Sequence, residues 1–380
     1  MSNWNETTLN DVCSVLGDGL HGTPQYSEDG EYAFVNGNNL VNGKIVIKKD
    51  TKKVDRSQYE KYKKPLTTKT ILVSINGTLG NVAIYSGEKI ILGKSACYFN
   101  VKEEYDADYI RYVVSTPVFK SYLENNATGT TIKNVSLKQM REYRFLIPEL
   151  ETQRKIARVL KLIDDKIENN NRINRNLQEL LDAVYSEMFS SEINGILSDI
   201  CDYSKERIDV SEITEKAYYS TENMLPEKKG AIFASGLPST EKTPKCLPGN
   251  TLISNIRPYF KKIVYCHEVA GCSSDVLCFV SKKNDLSQYL FSTLYSDEFF
   301  EYMIAGSKGT KMPRGDKQQI MRYAIHIPTE AELEKFNGLA KKILESIHKN
   351  TIENQRLEML RGSILPQLMS GEVDVSDIEI

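Results

Sequence analysis

The sequence predicts an α+β protein built as a tandem repeat, with two mixed globular halves alternating with two long helices that pair as an antiparallel coiled coil. Three observations predict it: a self-match at an offset of 180 residues, short β-rich runs punctuated by Gly and Asn in each globular half, and apolar heptads over two proline-poor stretches. At 380 residues the chain is too long for one ordinary core.

The repeat sets the frame. Gly129-Thr130 falls on Gly309-Thr310, Gln139 on Gln319, Tyr143 on Tyr323 and Ile147-Pro148 on Ile327-Pro328, without a gap. The register continues through Lys155/Lys335, Ile163/Ile343, Asn170/Asn350, Asn174/Asn354 and Leu177/Leu357 to Glu192/Glu372. Upstream the match needs small shifts, with Leu9, Asp11 and Cys13 against Leu197, Asp199 and Cys201, and Gly93 against Gly271. These matches give globular halves at 1–148 and 193–328, helical regions at 149–192 and 329–372, and an acidic tail at 373–380, a pseudo-two-fold internal repeat.

Within the globular halves, residues 44–47, 71–75, 82–85, 252–256 and 276–280 read as strands, with turns at Asn36-Gly37 and Asn76-Gly77. Helical patterns are mixed in at 107–124 and 286–304. In the first helical region an apolar heptad runs through Ile156, Ile163, Asn170, Leu177 and Val184, and in the second through Phe336, Ile343, Asn350, Leu357 and Ile364. Val159, Ile173 and Leu180 are expected beside the seam, widened by Leu160, Ile167, Leu181 and Met188. Thr329 and Glu332 form a capping box at the start of the second helix, and its one internal proline is Pro366. An Asn at a seam position costs stability and fixes register. Asn170 and Asn350 stand at the centres of their regions, so an unstaggered antiparallel pair brings them together.

Composition narrows the function. Hydrophobic residues are 40% and charged residues 26%, as in folded soluble chains. No run reaches the roughly 18–20 apolar residues of a membrane span, and the start lacks a basic region followed by an apolar one, so a cytoplasmic location is expected. Seven cysteines, an odd number, indicate reduced and buried thiols. Five residues separate Cys266, Cys272 and Cys278, too many for a zinc knuckle, and no metal is expected. There is no phosphate-binding Gly-x-x-x-x-Gly-Lys-Ser/Thr loop, no Pro-Pro pair of a base-holding methyltransferase strip and no Pro-Asp nuclease start.

The net charge of -2 conceals a segregated distribution. Residues 1–148 carry 19 basic and 16 acidic side chains, and 193–328 carry 17 and 16. Residues 44–64 alone hold nine basic and three acidic side chains, which suits phosphate tracking. The loops before the two helical regions, around Thr130, Thr131, Lys133 and Asn134 and around Lys308, Thr310, Lys311 and Arg314, combine glycine with hydrogen-bond donors. The same residues serve equally well as helix or sheet caps. On residues alone, a coiled-coil adaptor without a DNA role and an enzyme with an unrecognised site both stay open.

The whole arrangement resembles the specificity subunit of type I restriction-modification systems. The resemblance rests on Ile147-Pro148 leading to Gln153-Arg154-Lys155-Ile156-Ala157-Arg158-Val159-Leu160 with Asp164 and Ile167, and on Leu368-Met369-Ser370-Gly371-Glu372. It rests also on Asp18-Gly19-Leu20-His21-Gly22-Thr23-Pro24 and on Ser254-Asn255-Ile256-Arg257-Pro258-Tyr259 with Ser273-Ser274-Asp275. The family often has Glu-Gln at the helix start, whereas Thr152-Gln153 and Glu332-Leu333 each keep half of it.

The resemblance implies two target recognition domains, at 1–148 and 193–328, separated by two conserved helical regions. It implies a DNA-reading subunit without catalysis or cofactor of its own. Such a subunit would bind double-stranded DNA and dock two adenine methyltransferase subunits, which carry S-adenosylmethionine, together with ATP-dependent restriction subunits. Because the two globular halves differ in sequence, the DNA target is expected to be bipartite and asymmetric. The DNA-contacting candidates are His21, Thr23, Gln25, Tyr26, Lys44, Lys48 and Lys49, the two loop sets above, and Ser254, Asn255, Arg257, Tyr259, Lys261 and Lys262.

Overall fold

A computed structural model describes residues 4–189 and 193–378. Glu192 and the expected end of the first helical region lie outside the described residues, as do Met1 to Asn3 and the last two residues of the acidic tail. The chain forms two compact units, one joining residues 1–166 to 357–380 and the other holding 167–356. Each unit therefore contains a globular half and a part of both long helices.

Runs rich in β-branched and apolar residues form the central sheets, because such side chains fit a pleated surface buried on both faces. In the first unit the antiparallel order is Cys13–Asp18, Ala96–Val101, Thr70–Ser74, Val82–Ile84. In the second it is Cys201–Tyr203, Val276–Ser281, Thr251–Ser254, Ile263–Tyr265. The 180-residue register runs through the strand pairing itself, with Ala96 opposite Ser74 and Val276 opposite Ser254. It also corrects one sequence match. The Gly93 N–H donates to the Val35 carbonyl and the Ser273 N–H to the Tyr219 carbonyl, so Gly93 corresponds to Ser273 and not to Gly271. The shifted Leu9/Leu197 match does hold, since both N–H groups donate to equivalent carbonyls, of Tyr143 (3.0 Å) and Tyr323 (2.8 Å).

Each helical pattern in the globular halves is two helices, Ala107–Val113 with Pro117–Asn126 and Ser287–Tyr295 with Asp297–Ala305. The breaks sit at one repeat position. There the Thr116 and Ser296 hydroxyls accept the N–H groups of Phe119 (3.2 Å) and Phe299 (3.1 Å) and start a new helix. Tyr109 and Tyr289, both fully buried, donate their hydroxyls to the carbonyls of Leu146 and His326, again 180 residues apart.

The long helices are Leu150–Phe189, 40 residues, and Glu330–Ser370, 41 residues, the latter continuing through Pro366. The Thr329 capping box closes as expected, with the Thr329 N–H at 2.7 Å from Glu332 Oε2 and the Glu332 N–H at 3.3 Å from Thr329 Oγ1. In both units the two helices run antiparallel. Ile156 and Leu160 share a core with Leu365 and Leu368 in the first unit, and Leu181 shares one with Ile343 and Leu344 in the second.

The predicted Asn170–Asn350 pair does not form. Asn170 Nδ2 instead donates to Asn354 Oδ1 (2.9 Å), and Asn350 Nδ2 donates to Asn174 Oδ1 (2.8 Å). The physical reason is stagger: the antiparallel pair is displaced by about one turn, so each central Asn faces the Asn four residues beyond the expected partner. The buried line alternates steps of four and three through Ile156, Leu160, Ile163, Ile167 and Asn170. Ile173 and Leu180, expected beside the seam, fall outside that alternation and are 39% and 45% exposed.

All seven cysteines are free and buried, and burial pushes the Cys13 thiol up to about 12. Among the described residues no helix is long and apolar enough to cross a membrane, and no group of three or more His, Cys, Asp or Glu is placed to hold a metal ion.

Candidate nucleic-acid interface

In both units the segment after the central strand, Thr70–Ser74 or Thr251–Ser254, meets the loop that precedes the last short helix and strand of the half. Loop 128–134 closes on itself through reciprocal backbone bonds, the Thr128 N–H to the Asn134 carbonyl (2.9 Å) and the Asn134 N–H to the Thr128 carbonyl (2.8 Å). Loop 308–314 repeats this with Lys308 and Arg314 at 2.8 and 2.9 Å. Each loop is also tied to the strand exit. The Gly77 N–H donates to the Lys133 carbonyl (2.9 Å), and the Arg257 N–H donates to the Pro313 carbonyl (2.8 Å), all four positions being related by 180.

Backbone conformation explains the glycines. Gly129 and Gly309 hold φ of 94° and 102°, a region that side chains with a Cβ avoid. Gly77 has φ 76°, and its counterpart Arg257 is held left-handed at 51° despite its side chain, as residues at functional loops often are.

On this common frame the side chains differ. In the first unit Asn76 Nδ2 donates to Asn134 Oδ1 (3.0 Å), and both line a cleft of about 530 Å3 with Asp18, His21 and Lys94. His21 Nε2 lies 2.5 Å from Asp18 Oδ2. In the second unit the Arg314 guanidinium reaches Asp275 Oδ1 at 3.3 and 3.4 Å, and Asp275 lines a cleft of about 370 Å3 with Tyr218, Ser220 and Phe233.

The chain is similar to known proteins in sequence and in fold. Residues 1–179 match the type I restriction modification DNA specificity domain. The chain is 23% identical over 354 residues to the type I restriction enzyme MjaIX specificity subunit of Methanocaldococcus jannaschii, covering 81% of this chain and 78% of that protein. Its fold is that of the type I restriction-modification system S subunit from M. genitalium, with a TM-score of 0.64 at 17% identity over 97% of this chain and 96% of the other.

Residues 1–179 carry the type I restriction modification DNA specificity domain, and the chain is similar over most of its length to type I specificity subunits. A specificity subunit is the DNA sequence-reading part of a restriction-modification complex and is non-catalytic, with the chemistry carried by partner subunits.

Within this chain the sequence candidates separate into groups. His21 and Asn134 come together in the first cleft, while Thr130, Thr131 and Lys133 are exposed along the adjoining loop. Thr23, Gln25 and Tyr26 lie farther along an exposed segment, where the Gln25 N–H donates to Gln58 Oε1 (3.1 Å) and the Tyr26 ring leans on Phe34. Lys44, Lys48 and Lys49 are exposed in the basic segment 44–64.

In the second unit Arg257, Tyr259, Lys308, Thr310, Lys311 and Arg314 are exposed, whereas Ser254 and Asn255 are buried beneath the loop. The Asn255 carbonyl accepts the Gly315 N–H (3.3 Å), so Ser254 and Asn255 position the loop from below. Lys262 donates to the Thr221 carbonyl. Lys261 and Lys228 each donate to Asp297 at 2.8 Å, and those hydrogen bonds hold the Asp297 carboxyl down to about 2.

Sequence reasoning missed Asn76 and Lys94, and it did not count Asp18 or Asp275 among the contacts, although both stand in motifs that carry the resemblance. Asn76-Gly77 reads locally as a turn, and only the repeat offset from Arg257 could have marked that turn as part of the interface.

Proposed function

We propose that each globular unit of this specificity subunit reads one half of a split, asymmetric target in double-stranded DNA. The subunit also docks two adenine methyltransferase subunits that bring S-adenosylmethionine and the chemistry, in a cytoplasmic complex that restriction subunits can join. One observation carries this reading: the same backbone frame holds different side chains at corresponding positions of the strand exit and the loop. Asn76 and Gly77 stand where the second unit has Ile256 and Arg257, and Asn134 stands where it has Arg314.

Such substitutions on a fixed frame suit direct readout. Asn pairs with the adenine edge and Arg with the guanine edge in the major groove, each good bidentate contact discriminating by about 1–3 kcal/mol. Identical frames with unlike readers favour unlike half-sites. Phosphate contacts that set position would come from Lys44, Lys48, Lys49, Lys133, Lys308 and Lys311, all exposed.

Methylome sequencing of cells carrying the methyltransferase with this subunit, with Arg314→Ala or with Asn134→Ala tests the proposal. The expected result is a bipartite methylated sequence that needs this chain, relaxed at one position of one half by Arg314→Ala and of the other half by Asn134→Ala. Methylation of the same sequence without the chain, or relaxation of both halves by a single substitution, would overturn it.

A further inference from the structure

Ile132 and Met312 occupy one position of the repeat, the tip of loops 128–134 and 308–314, and both are left in water, 60% and 45% exposed. Around them the two loops differ, Thr131 against Lys311, Lys133 against Pro313, and Asn134 against Arg314. What both copies keep is a glycine at positive φ, a threonine and, two residues on, an unbranched or β-branched apolar tip. A lone exposed apolar side chain is ordinary on a protein surface. The same exposure at the same tip of two otherwise divergent loops indicates a partner that covers each one.

The tips are held stiffly. Reciprocal backbone bonds close the base of each loop, and the tie from Gly77 or Arg257 fixes its outer arm, so little conformational freedom remains to be lost on binding. The surroundings state what the partner offers. Thr130, Thr131 and Lys133 flank Ile132 in the chain, and Thr310, Lys311 and, two residues on, Arg314 flank Met312, all of them exposed donors or cations. The matching surface is apolar at its centre and bordered by acceptors and negative charge. A base-pair step has that pattern, with apolar faces, acceptor-rich edges and a phosphate on each side.

We propose that Ile132 and Met312 are apolar wedges, each entering the base stack of the half-site its own unit reads and opening one step as the duplex is bound. This rests on the DNA reading proposed above. Inserting an apolar side chain between bases unstacks the step and kinks the duplex, which lets more of the protein reach the groove.

The test uses the complex of this chain with its methyltransferase and a duplex of the methylated sequence, with 2-aminopurine placed at successive steps of each half. For the wild type, fluorescence rises at one step in each half. Ile132→Ala abolishes the rise in one half and Met312→Ala in the other, each with roughly tenfold weaker binding, about the loss expected from one apolar contact. The exchanges Ile132→Met and Met312→Ile restore both signals. Both side chains are exposed, so thermal unfolding of the alanine variants should match the wild type, which separates lost insertion from misfolding.

The proposal is overturned if the alanine variants keep the fluorescence and the affinity, if the wild type leaves every step stacked, or if the variants instead lose the methyltransferase on gel filtration. Failure of the underlying DNA reading looks different: the wild-type complex would then bind its target no better than a scrambled duplex.

Discussion

Asp164 shows how one residue can mark the difference between two copies of a repeat. It accepts from the Tyr112 hydroxyl (2.7 Å) and from Arg361 Nη1 (2.5 Å), with Arg111 Nη2 at 3.2 Å. Burial raises its pKa, but the hydrogen bonds from Tyr112 and Arg361 and the charges of Arg111 and Arg361 outweigh it and leave the carboxyl below its usual range. The residues 180 away are Leu344 and Leu181, both buried in the second unit's core. The first unit thus uses a partly buried ion pair where the second uses two leucines. Removing one partner of such a pair leaves the other charge uncompensated, whereas replacing both by apolar groups costs less. Asp164→Leu is expected to destabilise the chain by about 2–3 kcal/mol, and Asp164→Leu with Arg361→Leu by less than Asp164→Leu alone, as urea unfolding of a double-mutant cycle would read. A cycle without coupling would remove this account.

The stacked His267 and His348 rings, 4.0 Å between centroids, make a second residue-scale prediction. Burial, aided by the neighbouring His348, lowers His267 to about 4, and burial lowers His348 as well. A histidine depressed in the folded state stabilises fully above its unfolded pKa of 6.5, and that contribution is lost as pH falls through the folded value. The unfolding midpoint should therefore drop between pH 6.5 and about 4, and His267→Gln should flatten that drop. A wild-type midpoint that is level over this window would count against it.

At the scale of the element, the paired helices carry a polar layer at their centre. Asn170, buried, bonds Asn354 and Glu353, while Asn174 bonds Asn350. Buried amides at seam positions give up stability and penalise every register but one. Replacing Asn170 and Asn354 together by leucine should raise the thermal midpoint and broaden the states seen by gel filtration or by amide exchange in the two helices. A lower midpoint with a single sharp state would show instead that the asparagines only stabilise.

Heptads were legible in the sequence because burial at helical spacing is a local signal. The partner of each Asn was not, since stagger is decided by how two surfaces interlock. The helix breaks at Thr116 and Ser296 were not read from the sequence, where each pattern runs on as one helix, although Pro117 directly after Thr116 suits the first position of a new helix.

For the whole molecule, charge placement matters more than charge total. The net charge is -2, yet residues 44–64 hold nine basic and three acidic side chains, and Lys44, Lys48 and Lys49 are exposed. Each phosphate neutralised steepens the salt dependence of binding by about 0.9 in the log–log slope. Replacing Lys44, Lys48 and Lys49 by alanine should shallow that slope by up to this amount per lysine that meets a phosphate, while methylome sequencing returns the same recognised sequence. A changed recognised sequence would assign these lysines to base readout instead.

The amino-acid order by itself determined the duplication, the alternation of globular and helical parts and the loops that carry the donors, because periodicity, glycine and charge act over a few residues. Only the tertiary structure decided which of those donors face outward. Ser254 and Asn255 stand beside Arg257 in the chain yet lie buried beneath the loop, while Asn76, dismissed as a turn, joins Asn134 at a cleft. Burial and pairing across strands depend on contacts between residues far apart in sequence, and no local pattern encodes them.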